Sequence, residues 1–397
     1  MGKALNDAMS IYSELGIHRV INAAFAFTRL GGSTLPKEVQ DAMNEANKSF
    51  VNMWDLNVKC SEIISKETGA EAAWITSGGF NGLVLSAAAF IAGKDPEKMR
   101  MLPHTHGMKN EFIIQRNNRL LVYDRAVEVA GGVFAPVGDE VYGCGVKEIE
   151  SAINENTAGI HYVYPTGPTR QGIVPLKDMV KLAHSHSVPI MVDVCGITYP
   201  TSSFKTLLES GADLLAFGGK YVQGPNSSGF VLGKKEWVEA VSLHSFIGQE
   251  MGPFDAAGYY RSIGRGYKLD RQEIVGLTVA VKRWMKLDHE KERFKPSWDR
   301  IHYIEKHVRK LPRLKEAYIN YQPSSGAGVS YHSIGLHVSF PTKSAEEVNF
   351  LVNKLREKDP EVWVRYYSGN TDFVINALYL NPGEEKIVVE RFKEVFI

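Results

Sequence analysis

The stretch "GADLLAFGGKYVQGPNSSGFVLG", residues 211–233, decides the fold. An apolar run typical of a buried strand ends in Gly218-Gly219, presents Lys220, and continues through a Gly-Pro turn into a second strand, "SGFVLG". A lysine between a buried strand and flexible turns is poorly placed to be ordinary surface charge. Desolvation there would make its amine nucleophilic toward an aldehyde. An ordinary ion pair is the alternative interpretation.

The surrounding sequence alternates between strands and helices from about residue 70 onward. Predicted strands include "EAAWITS", "RMLPH", "EVAGGVFAPVG", "AGIHYVYP" and "VPIMVDVCG", and predicted helices include "LVLSAAAFIA", "GVKEIESAINEN" and "LKDMVKLAHSHS". This alternation predicts an α/β fold built from right-handed βαβ units, with a mainly parallel sheet covered on both faces. Beyond about residue 288 the pattern changes to a small α+β unit.

Composition argues against several classes of function. The formal net charge of +1, with 44% hydrophobic and 23% charged residues, is typical of a soluble globular protein and favours neither nucleic acid nor a membrane as partner. Three cysteines without paired spacing suit a reducing compartment. No metal-ligand spacing is present, and no apolar run is long enough for a signal peptide or a bilayer span. We expect a cytoplasmic protein.

Two further motifs carry polar groups at predicted strand ends. In "WITSGGFNG" (74–82) a strand ends, a Ser-Gly-Gly turn follows, and a helix begins, so unpaired N–H groups could hold a phosphate. A tight turn that happens to contain glycine is the alternative. Asp193 lies inside the apolar strand "IMVDVCG", where a carboxylate needs a partner such as a protonated ring nitrogen. A helix cap or an internal salt bridge is the alternative.

Together these features predict a pyridoxal 5'-phosphate site. The glycine turn would take the phosphate, the carboxylate would keep the ring nitrogen protonated, and the lysine would form the Schiff base. A flat residue over the ring is also expected. The loop "LPHTHGM" offers His104 and His106, which we place after the strand predicted at "RMLPH". Either histidine could instead be an ordinary core residue.

In these motifs and their order, the sequence resembles the selenocysteine synthase-like family of fold-type I pyridoxal-phosphate enzymes. The likeness runs over roughly residues 18–280, through "SEIISKETGAEAAWITSGG", "MLPHTHG", "VPIMVDV" and "SIGRGYKLDRQEIVGL", with a looser match in "VWVRYY". The resemblance implies a seven-stranded, mainly parallel sheet, a small C-terminal domain, and a homodimer or an oligomer of dimers. We expect an N-terminal segment at 1–45 that packs on the small domain or a partner subunit, a cofactor-binding domain at 46–288 and a small domain at 289–397.

The resemblance also implies roles for individual residues. Catalytic roles fall on Lys220, Asp193 and His106, and further cofactor contacts on Ser77, Gly78, Gly79, Gln223 and Gly224. His106 matches the family's Pro-x-x-His loop and would stack on the ring. Gln223 and Gly224 belong to a turn that in such dimers often approaches the neighbouring cofactor.

Three departures from the family affect phosphate and substrate binding. Phe217 replaces a serine that usually precedes the lysine by three residues. Either another hydroxyl, such as that of Ser77 or Thr76, takes its place or phosphate binding is altered. Arg29 stands where a small residue is usual, and "YPTGPTRQG" (164–172) and "NAL" (376–378) replace family loops. Arg29, Arg170 and Arg365 are candidates for binding substrate anions. A solvated surface arginine is the alternative for Arg170.

We expect a small amino acid or amino sugar acid as substrate. Abstraction of its α-proton would lead to elimination with release of ammonia and a keto acid, as in a lyase. Three alternatives stay open: an amino acid racemase, a selenocysteine synthase-like transferase, and a non-catalytic cofactor-binding protein. Near-neutral charge and the short stretch before residue 18 argue against the tRNA-linked transferase.

Overall fold

The computed structural model describes residues 11–119, 121, 124–165, 171–251, 260–311, 316–321, 334–339, 344–366 and 369–396. The chain forms two compact units. The larger unit comprises Ser33–Lys286, and the smaller one combines the residues up to Gly32 with those from Leu287 toward the C-terminus. The division into three domains at 1–45, 46–288 and 289–397 remains a prediction.

Twelve strands are present among the described residues. In chain order they are β1 Val20–Ala23, β2 Ala72–Thr76, β3 Glu111–Gln115, β4 Val133–Val137, β5 Thr157–Val163, β6 Ile190–Cys195, β7 Leu214–Gly218, β8 Gly229–Gly233, β9 Glu316–Tyr321, β10 Ile334–Ser339, β11 Glu361–Val364 and β12 Asp372–Asn376.

Fourteen α-helices accompany these strands in the same described residues. They are α1 Ile11–Glu14, α2 Lys37–Ala46, α3 Met53–Thr68, α4 Gly78–Ala92, α5 Pro96–Met101, α6 Ala126–Val129, α7 Val146–Ala152, α8 Leu176–Ser185, α9 Ser202–Leu208, α10 Lys235–His244, α11 Arg271–Lys286, α12 Lys295–Val308, α13 Ala345–Lys354 and α14 Glu384–Phe396. Short 3-10 turns lie at Thr28–Leu30, Arg116–Asn118, Gly219–Val222, Gly248–Met251 and Ile263–Gly266, and a π-turn at Glu290–Phe294.

A seven-stranded sheet in the order β2-β8-β7-β6-β5-β3-β4 forms the centre of the larger unit. Only β8 runs antiparallel to its neighbours, and the other pairings are parallel. The predicted α/β class and mainly parallel sheet are therefore confirmed. Because parallel strands end at the same side, this sheet has one edge where their carboxyl ends meet, called the carboxyl edge below.

Apolar layers cover both faces of this sheet. Along β7 the side chains alternate, so that Leu214 and Ala216 join one cluster and Leu215 and Phe217 the other. The first cluster contains α4, whose residues 81–92 are all buried. A helix that is apolar on every side needs partners all round, and α4 obtains them from the sheet, α6 and α10. Burial on both faces explains why β7 reads as a continuous apolar run.

The smaller unit contains two further sheets. Strands β1 and β11 pair in parallel, with Val20 opposite Glu361 and Ala23 opposite Val364. Strands β12, β10 and β9 form an antiparallel sheet in that order. Helices α12 and α14 pack on each other in the same unit. The predicted strands "GLHVSF", "VWVRYY" and "DFVINALY" correspond to β10, β11 and β12.

One predicted strand is wrong, and the error affects the site. The stretch "RMLPH" does not form a strand: Met101 ends α5, and a turn with a backbone hydrogen bond from His104 N to Met101 O follows. The strand of this region is β3, "EFIIQ", which comes after the loop and has four of its five residues buried. Histidines 104 and 106 therefore precede a sheet strand instead of following one.

None of the helices in the described residues combines the length and apolar character that crossing a membrane requires.

Candidate active site

Asp193 and Lys220 lie near the carboxyl ends of two neighbouring parallel strands. Asp193 on β6 lies opposite Ala216 on β7, and Lys220 is in the 3-10 turn directly after β7. By strand alternation, Asp193 points to the same face of the sheet as Met191, the face that α4 covers. Both side chains are half-buried. The structure therefore brings these two predicted residues together at the carboxyl edge.

Backbone hydrogen bonds fix the turn that carries Lys220. Gly219 N donates to Ser228 O at 2.8 Å, and Gly224 N donates to Gly219 O at 2.9 Å. Thr198, after β6, donates its hydroxyl to Tyr221 O at 3.1 Å. The Lys220 ammonium nitrogen lies 5.2 Å from the centre of the Tyr221 ring. A lysine on a turn held from three sides has little freedom in its backbone position.

The Ser-Gly-Gly turn lies between β2 and α4, as the sequence predicted. Gly78 adopts φ +79°, which side chains disfavour, and the Thr76 hydroxyl donates to Gly78 O at 3.0 Å. The Ser77 side chain makes no capping hydrogen bond to the helix. The first N–H groups of α4 lack partners inside the helix and so can bind an anion together with the Ser77 hydroxyl.

This turn packs directly against the chain segment that leads to Lys220. A Cβ atom at Gly79 would lie 3.3 Å from the Phe217 carbonyl carbon and 3.4 Å from Gly218 N. Only a residue without a side chain fits comfortably at that distance. The close approach brings the helix N-terminus, the end of β7 and the lysine turn into one small region.

The family departure at Phe217 has a structural explanation. Its ring is fully buried on the opposite face of the sheet from α4, 4.9 Å from the Phe230 ring and 5.1 Å from the Phe204 ring. A hydroxyl on this side chain would not face the glycine turn. Of the two hydroxyls named as substitutes, that of Thr76 holds the turn itself, which leaves Ser77 for an anion.

His106 is not brought together with Asp193 and Lys220. It is exposed in the loop before β3, at the amino edge of the sheet, where Thr105 donates its hydroxyl to Gly131 O before β4. A five-residue strand separates this loop from the carboxyl edge by about 15 Å. The proposed stacking of His106 on a ring held by its own chain is therefore corrected, because it depended on the wrong strand at "RMLPH".

Gln223 and Gly224 lie in the same turn as Lys220. Gln223 has φ +59°, and its side-chain oxygen accepts a hydrogen bond of 2.9 Å from Arg283 on α11. Gly224 is buried, and its N–H helps to close the lysine turn. Within this chain both residues stabilise the turn that presents Lys220.

The three candidate arginines have different placements. Arg29 and Arg365 belong to the smaller unit, where each guanidinium lies over an aromatic ring: Arg29 over Trp363 at 4.7 Å and Arg365 over Phe27 at 5.0 Å. Arg170 lies outside the described residues.

Two residues at the carboxyl edge were missed by sequence reasoning. The Asn118 side chain donates to Val163 O at 2.5 Å, which ties the end of β3 to β5 beside Asp193. Tyr164 follows β5, donates its N–H to Asp193 O at 2.9 Å, and has the pKa of its hydroxyl raised by burial. Tyr164 is thus an aromatic neighbour of Asp193. The sequence signal that could have found it is a tyrosine at the end of the strand predicted at "AGIHYVYP".

A buried histidine lies deeper on β5. Both ring nitrogens of His161 are buried without a hydrogen-bond partner, and its ring meets Phe134 edge-on at 5.9 Å. Burial, with a smaller contribution from the positive charge of Arg119, lowers the pKa of His161 to about 4. The imidazole is therefore neutral at physiological pH.

Comparisons with known proteins agree with this geometry. Residues 138–268 match the sequence family described as Cys/Met metabolism PLP-dependent enzyme. D-glucosaminate-6-phosphate ammonia lyase from Salmonella typhimurium is 29% identical over 278 residues, 69% of this chain and 70% of the relative. A solved structure of D-glucosaminate-6-phosphate ammonia-lyase superposes with a TM-score of 0.80 at 25% identity, covering 98% of both chains.

Two other relatives have different activities. A 5'-C-glycyluridine monooxygenase-decarboxylase from a Streptomyces species is 26% identical over 97% of this chain and 92% of its own. An L-seryl-tRNA(Sec) selenium transferase from Aquifex aeolicus is 23% identical over 79% of this chain and 70% of its own. The first activity was not among the alternatives considered from the sequence.

The groups at the carboxyl edge fit pyridoxal 5'-phosphate. Backbone N–H groups and a hydroxyl suit its phosphate, a carboxylate suits its ring nitrogen, and a half-buried amine suits its aldehyde. The predicted cofactor, fold class and family resemblance are thereby confirmed. The chain is a pyridoxal-phosphate-dependent enzyme of fold type I, similar to D-glucosaminate-6-phosphate ammonia lyase and to the selenocysteine synthase-like family.

Proposed function

We propose that the enzyme is a lyase that eliminates a β-substituent from an amino acid or amino sugar acid. The overall reaction removes HX from the Cα–Cβ bond and takes up water, so that a keto acid and ammonia are released. The observation that carries the proposal is the adjacency of Asp193 and the Lys220 turn at the carboxyl edge, beside the glycine turn. Similarity to an ammonia lyase in sequence and in fold supports the same reaction class.

The bound cofactor would supply an electron sink for a carbanion at the substrate α-carbon. Lys220 would hold the cofactor aldehyde, and its amine would serve as the base that takes the α-proton of the substrate. The hydrogen bonds that fix its turn keep that amine near one position. A positioned base of this kind contributes about 10²- to 10⁴-fold to a proton transfer.

Asp193 and the glycine turn would orient the cofactor. The Asp193 carboxylate would accept a hydrogen bond from the protonated ring nitrogen and keep that proton in place. Ser77 and the first N–H groups of α4 would hold the phosphate, where the helix dipole favours negative charge. Arg29 and Arg365 remain the proposed ligands of substrate anions, because guanidinium groups bind carboxylates and phosphates in bidentate fashion.

A substrate screen tests this reaction class. L- and D-amino acids and amino sugar acids should be added to the holoenzyme while ammonia, keto acid and chirality are measured together. Equal amounts of ammonia and keto acid are expected with at least one β-substituted substrate. Racemisation without ammonia would contradict the lyase and favour the racemase.

A second candidate is an oxygen-dependent decarboxylase. It is favoured by one observation, the match to 5'-C-glycyluridine monooxygenase-decarboxylase over 97% of the chain, compared with 69% for the ammonia lyase. Oxygen uptake and carbon dioxide release would identify it, and both should be absent for the lyase. Running the screen with and without oxygen separates the two candidates, since elimination needs no oxidant.

We also propose that the enzyme is a cytoplasmic homodimer or an oligomer of dimers, with the domains predicted at 1–45, 46–288 and 289–397. Light scattering coupled to size exclusion would measure the oligomeric state. A monomer with full activity would contradict this part of the proposal.

A further inference from the structure

Helix α11 packs one face against the turn that carries Lys220. Leu277 and Trp284 are two helical turns apart, so they share that face, and both are buried. A Cβ atom placed on Gly219 would lie 2.9 Å from a Leu277 methyl carbon, and one placed on Gly224 would lie 3.1 Å from it. The glycines before and after the lysine therefore leave the room that the helix needs to approach the turn.

Two hydrogen bonds link this helix to the turn through Thr198. The Trp284 indole N–H donates to Thr198 O at 2.7 Å, and the Thr198 hydroxyl donates to Tyr221 O at 3.1 Å. Another acceptor near that hydroxyl, Gly196 O, lies farther away at 3.5 Å. Thr198 is 2% exposed and Trp284 is 1% exposed, so both bonds are shielded from water. The two bonds connect the indole to the carbonyl of the residue directly after Lys220.

The next part of the turn is tied to the same helix. Arg283, beside Trp284 in the sequence, donates to the side-chain oxygen of Gln223 at 2.9 Å. Gln223 adopts φ +59°, a conformation that L side chains disfavour, and this hydrogen bond stabilises it. Helix α11 thus holds the chain at two points within three residues of Lys220.

The position of this turn matters because the lysine side chain is long and flexible. Its amine lies four carbons beyond the Cα atom, so a displaced turn would carry the amine away from an aldehyde held by other groups. The groups proposed for the phosphate and the ring nitrogen, at the glycine turn and at Asp193, lie on other elements. Loosening the hold of α11 should therefore weaken the covalent link and leave the other cofactor contacts unchanged.

We propose that Trp284 and Thr198 are positioning residues for the Lys220 amine. They act through the Tyr221 carbonyl and hold the turn where the amine meets the cofactor aldehyde. In that link the amine nitrogen forms a C=N bond to the aldehyde carbon, and the aldehyde oxygen leaves as water. The inference rests on the proposed role of Lys220 but not on the lyase reaction, since the link precedes any reaction.

Competition with pyridoxine 5'-phosphate in the holoenzyme measures the link separately from the other contacts. This probe has an alcohol in place of the aldehyde, so it keeps the phosphate and the ring but cannot bond to an amine. The free cofactor measured after ultrafiltration gives the linkage ratio, which is the Kd of pyridoxine 5'-phosphate divided by the Kd of the cofactor. We expect a large linkage ratio in the native chain and a ratio of about one in Lys220→Ala.

Variants of the two positioning residues should lower this ratio. Thr198→Val removes only the hydroxyl and should lower the linkage ratio about three- to tenfold, as expected for one hydrogen bond. Thr198→Ser restores the hydroxyl and should stay within about twofold of the native chain. Trp284→Phe should cause a similar loss, and the double variant should lose less than the product of the single losses, because both act through Tyr221 O. A merely structural role would weaken both ligands equally, and an unchanged ratio in Thr198→Val would overturn the proposal.

Thr278→Val is the matched control. Thr278 is a buried threonine on α11, and its hydroxyl donates to Ile274 O at 2.8 Å inside the helix. This variant should keep the native linkage ratio, and an equal loss would overturn the assignment to Thr198. Thr198→Val keeps the Trp284 hydrogen bond, which goes to a backbone carbonyl, so the test stands even if Trp284→Phe does not fold.

The outcome also separates this inference from the proposed role of Lys220. A native linkage ratio in Lys220→Ala would show that the link lies elsewhere and would overturn both. A ratio of about one in Lys220→Ala together with a native ratio in Thr198→Val would overturn this inference alone, whether or not ammonia is released.

Discussion

The carboxyl edge of the large sheet and a group of stacked side chains in the smaller unit both lie where parallel strands end, but different forces build them. This group, called the arginine–aromatic cluster, consists of Phe27, Arg29, Arg356, Trp363 and Arg365. At the carboxyl edge the backbone dominates: helix N–H groups, a glycine with φ +79° and a turn closed by backbone hydrogen bonds. In the cluster, side chains from distant segments stack on each other. The first kind of site can be predicted from short stretches of sequence, whereas the second depends on which distant segments of the chain pack together.

The largest effect is expected from a substitution that removes the amine at the carboxyl edge. Lys220→Ala should abolish the visible absorbance of the bound cofactor and lower turnover by at least about 10³-fold, because both the imine and the base are lost. Absorbance spectra and ammonia release measure it. Lys205→Ala, on an exposed side chain of α9, is the control and should keep both. An unchanged spectrum in Lys220→Ala would mean that a different lysine binds the cofactor.

Removing the negative charge beside the lysine turn comes next. Asp193→Asn keeps the shape of the side chain but cannot keep a proton on the ring nitrogen, so turnover should fall about 10²-fold or more. Steady-state kinetics with cofactor in excess measure it. Asp178→Asn, at the exposed start of α8, should leave turnover unchanged. Full activity in Asp193→Asn would mean that this carboxylate does not face the ring.

The close backbone contact in the glycine turn predicts a smaller effect. Gly79→Ala forces the end of β7 to move by a few tenths of an ångström, since its Cβ would lie 3.3 Å from Phe217. We expect about tenfold weaker cofactor binding, measured by titration of the apoenzyme. Gly266→Ala has no atom within 4 Å of the added carbon and should bind the cofactor normally. Normal cofactor binding in Gly79→Ala would mean that the cofactor phosphate does not bind at the glycine turn.

Trp363→Leu sharpens the comparison from the side of the cluster. Without the buried indole, neither Arg29 nor Arg356 keeps its stacking partner, so the free energy of unfolding measured in urea titrations should fall by about 2–3 kcal/mol. The visible spectrum of the cofactor should stay the same, because the carboxyl edge does not use this ring. Loss of the spectrum together with stability would show that the two regions are not separable.

The smallest effect concerns stability. His161 is neutral in the fold with a pKa of about 4, below its ordinary value of 6.5, so the unfolded chain binds more protons between these values. Its contribution is present above pH 6.5 and falls as the pH drops toward 4, by about 2 kcal/mol at pH 5. His161→Phe should flatten the loss of unfolding free energy between pH 7 and 5 in urea titrations. An unchanged pH dependence would contradict a neutral buried imidazole.

The candidate residues that the structure places at the carboxyl edge, as the sequence suggested, are those whose positions are set by local sequence. Apolar runs ended by glycine located β2 and β7, and the position of Asp193 near the end of an apolar strand placed it at the carboxyl edge. His106 was misplaced because "RMLPH" and "EFIIQ" are both short apolar stretches, and their order relative to the loop decides which edge the loop occupies. The stacking of Arg29 on Trp363 could not be found, because more than 300 residues separate the two and no periodicity links them.

The central claim is that the Lys220 amine forms the covalent link to the cofactor. Borohydride reduction of the holoenzyme, followed by proteolysis and peptide mass spectrometry, tests it directly. The account predicts one phosphopyridoxyl group per chain, located on Lys220. A stoichiometric label on any other lysine, with Lys220 unmodified, would contradict it.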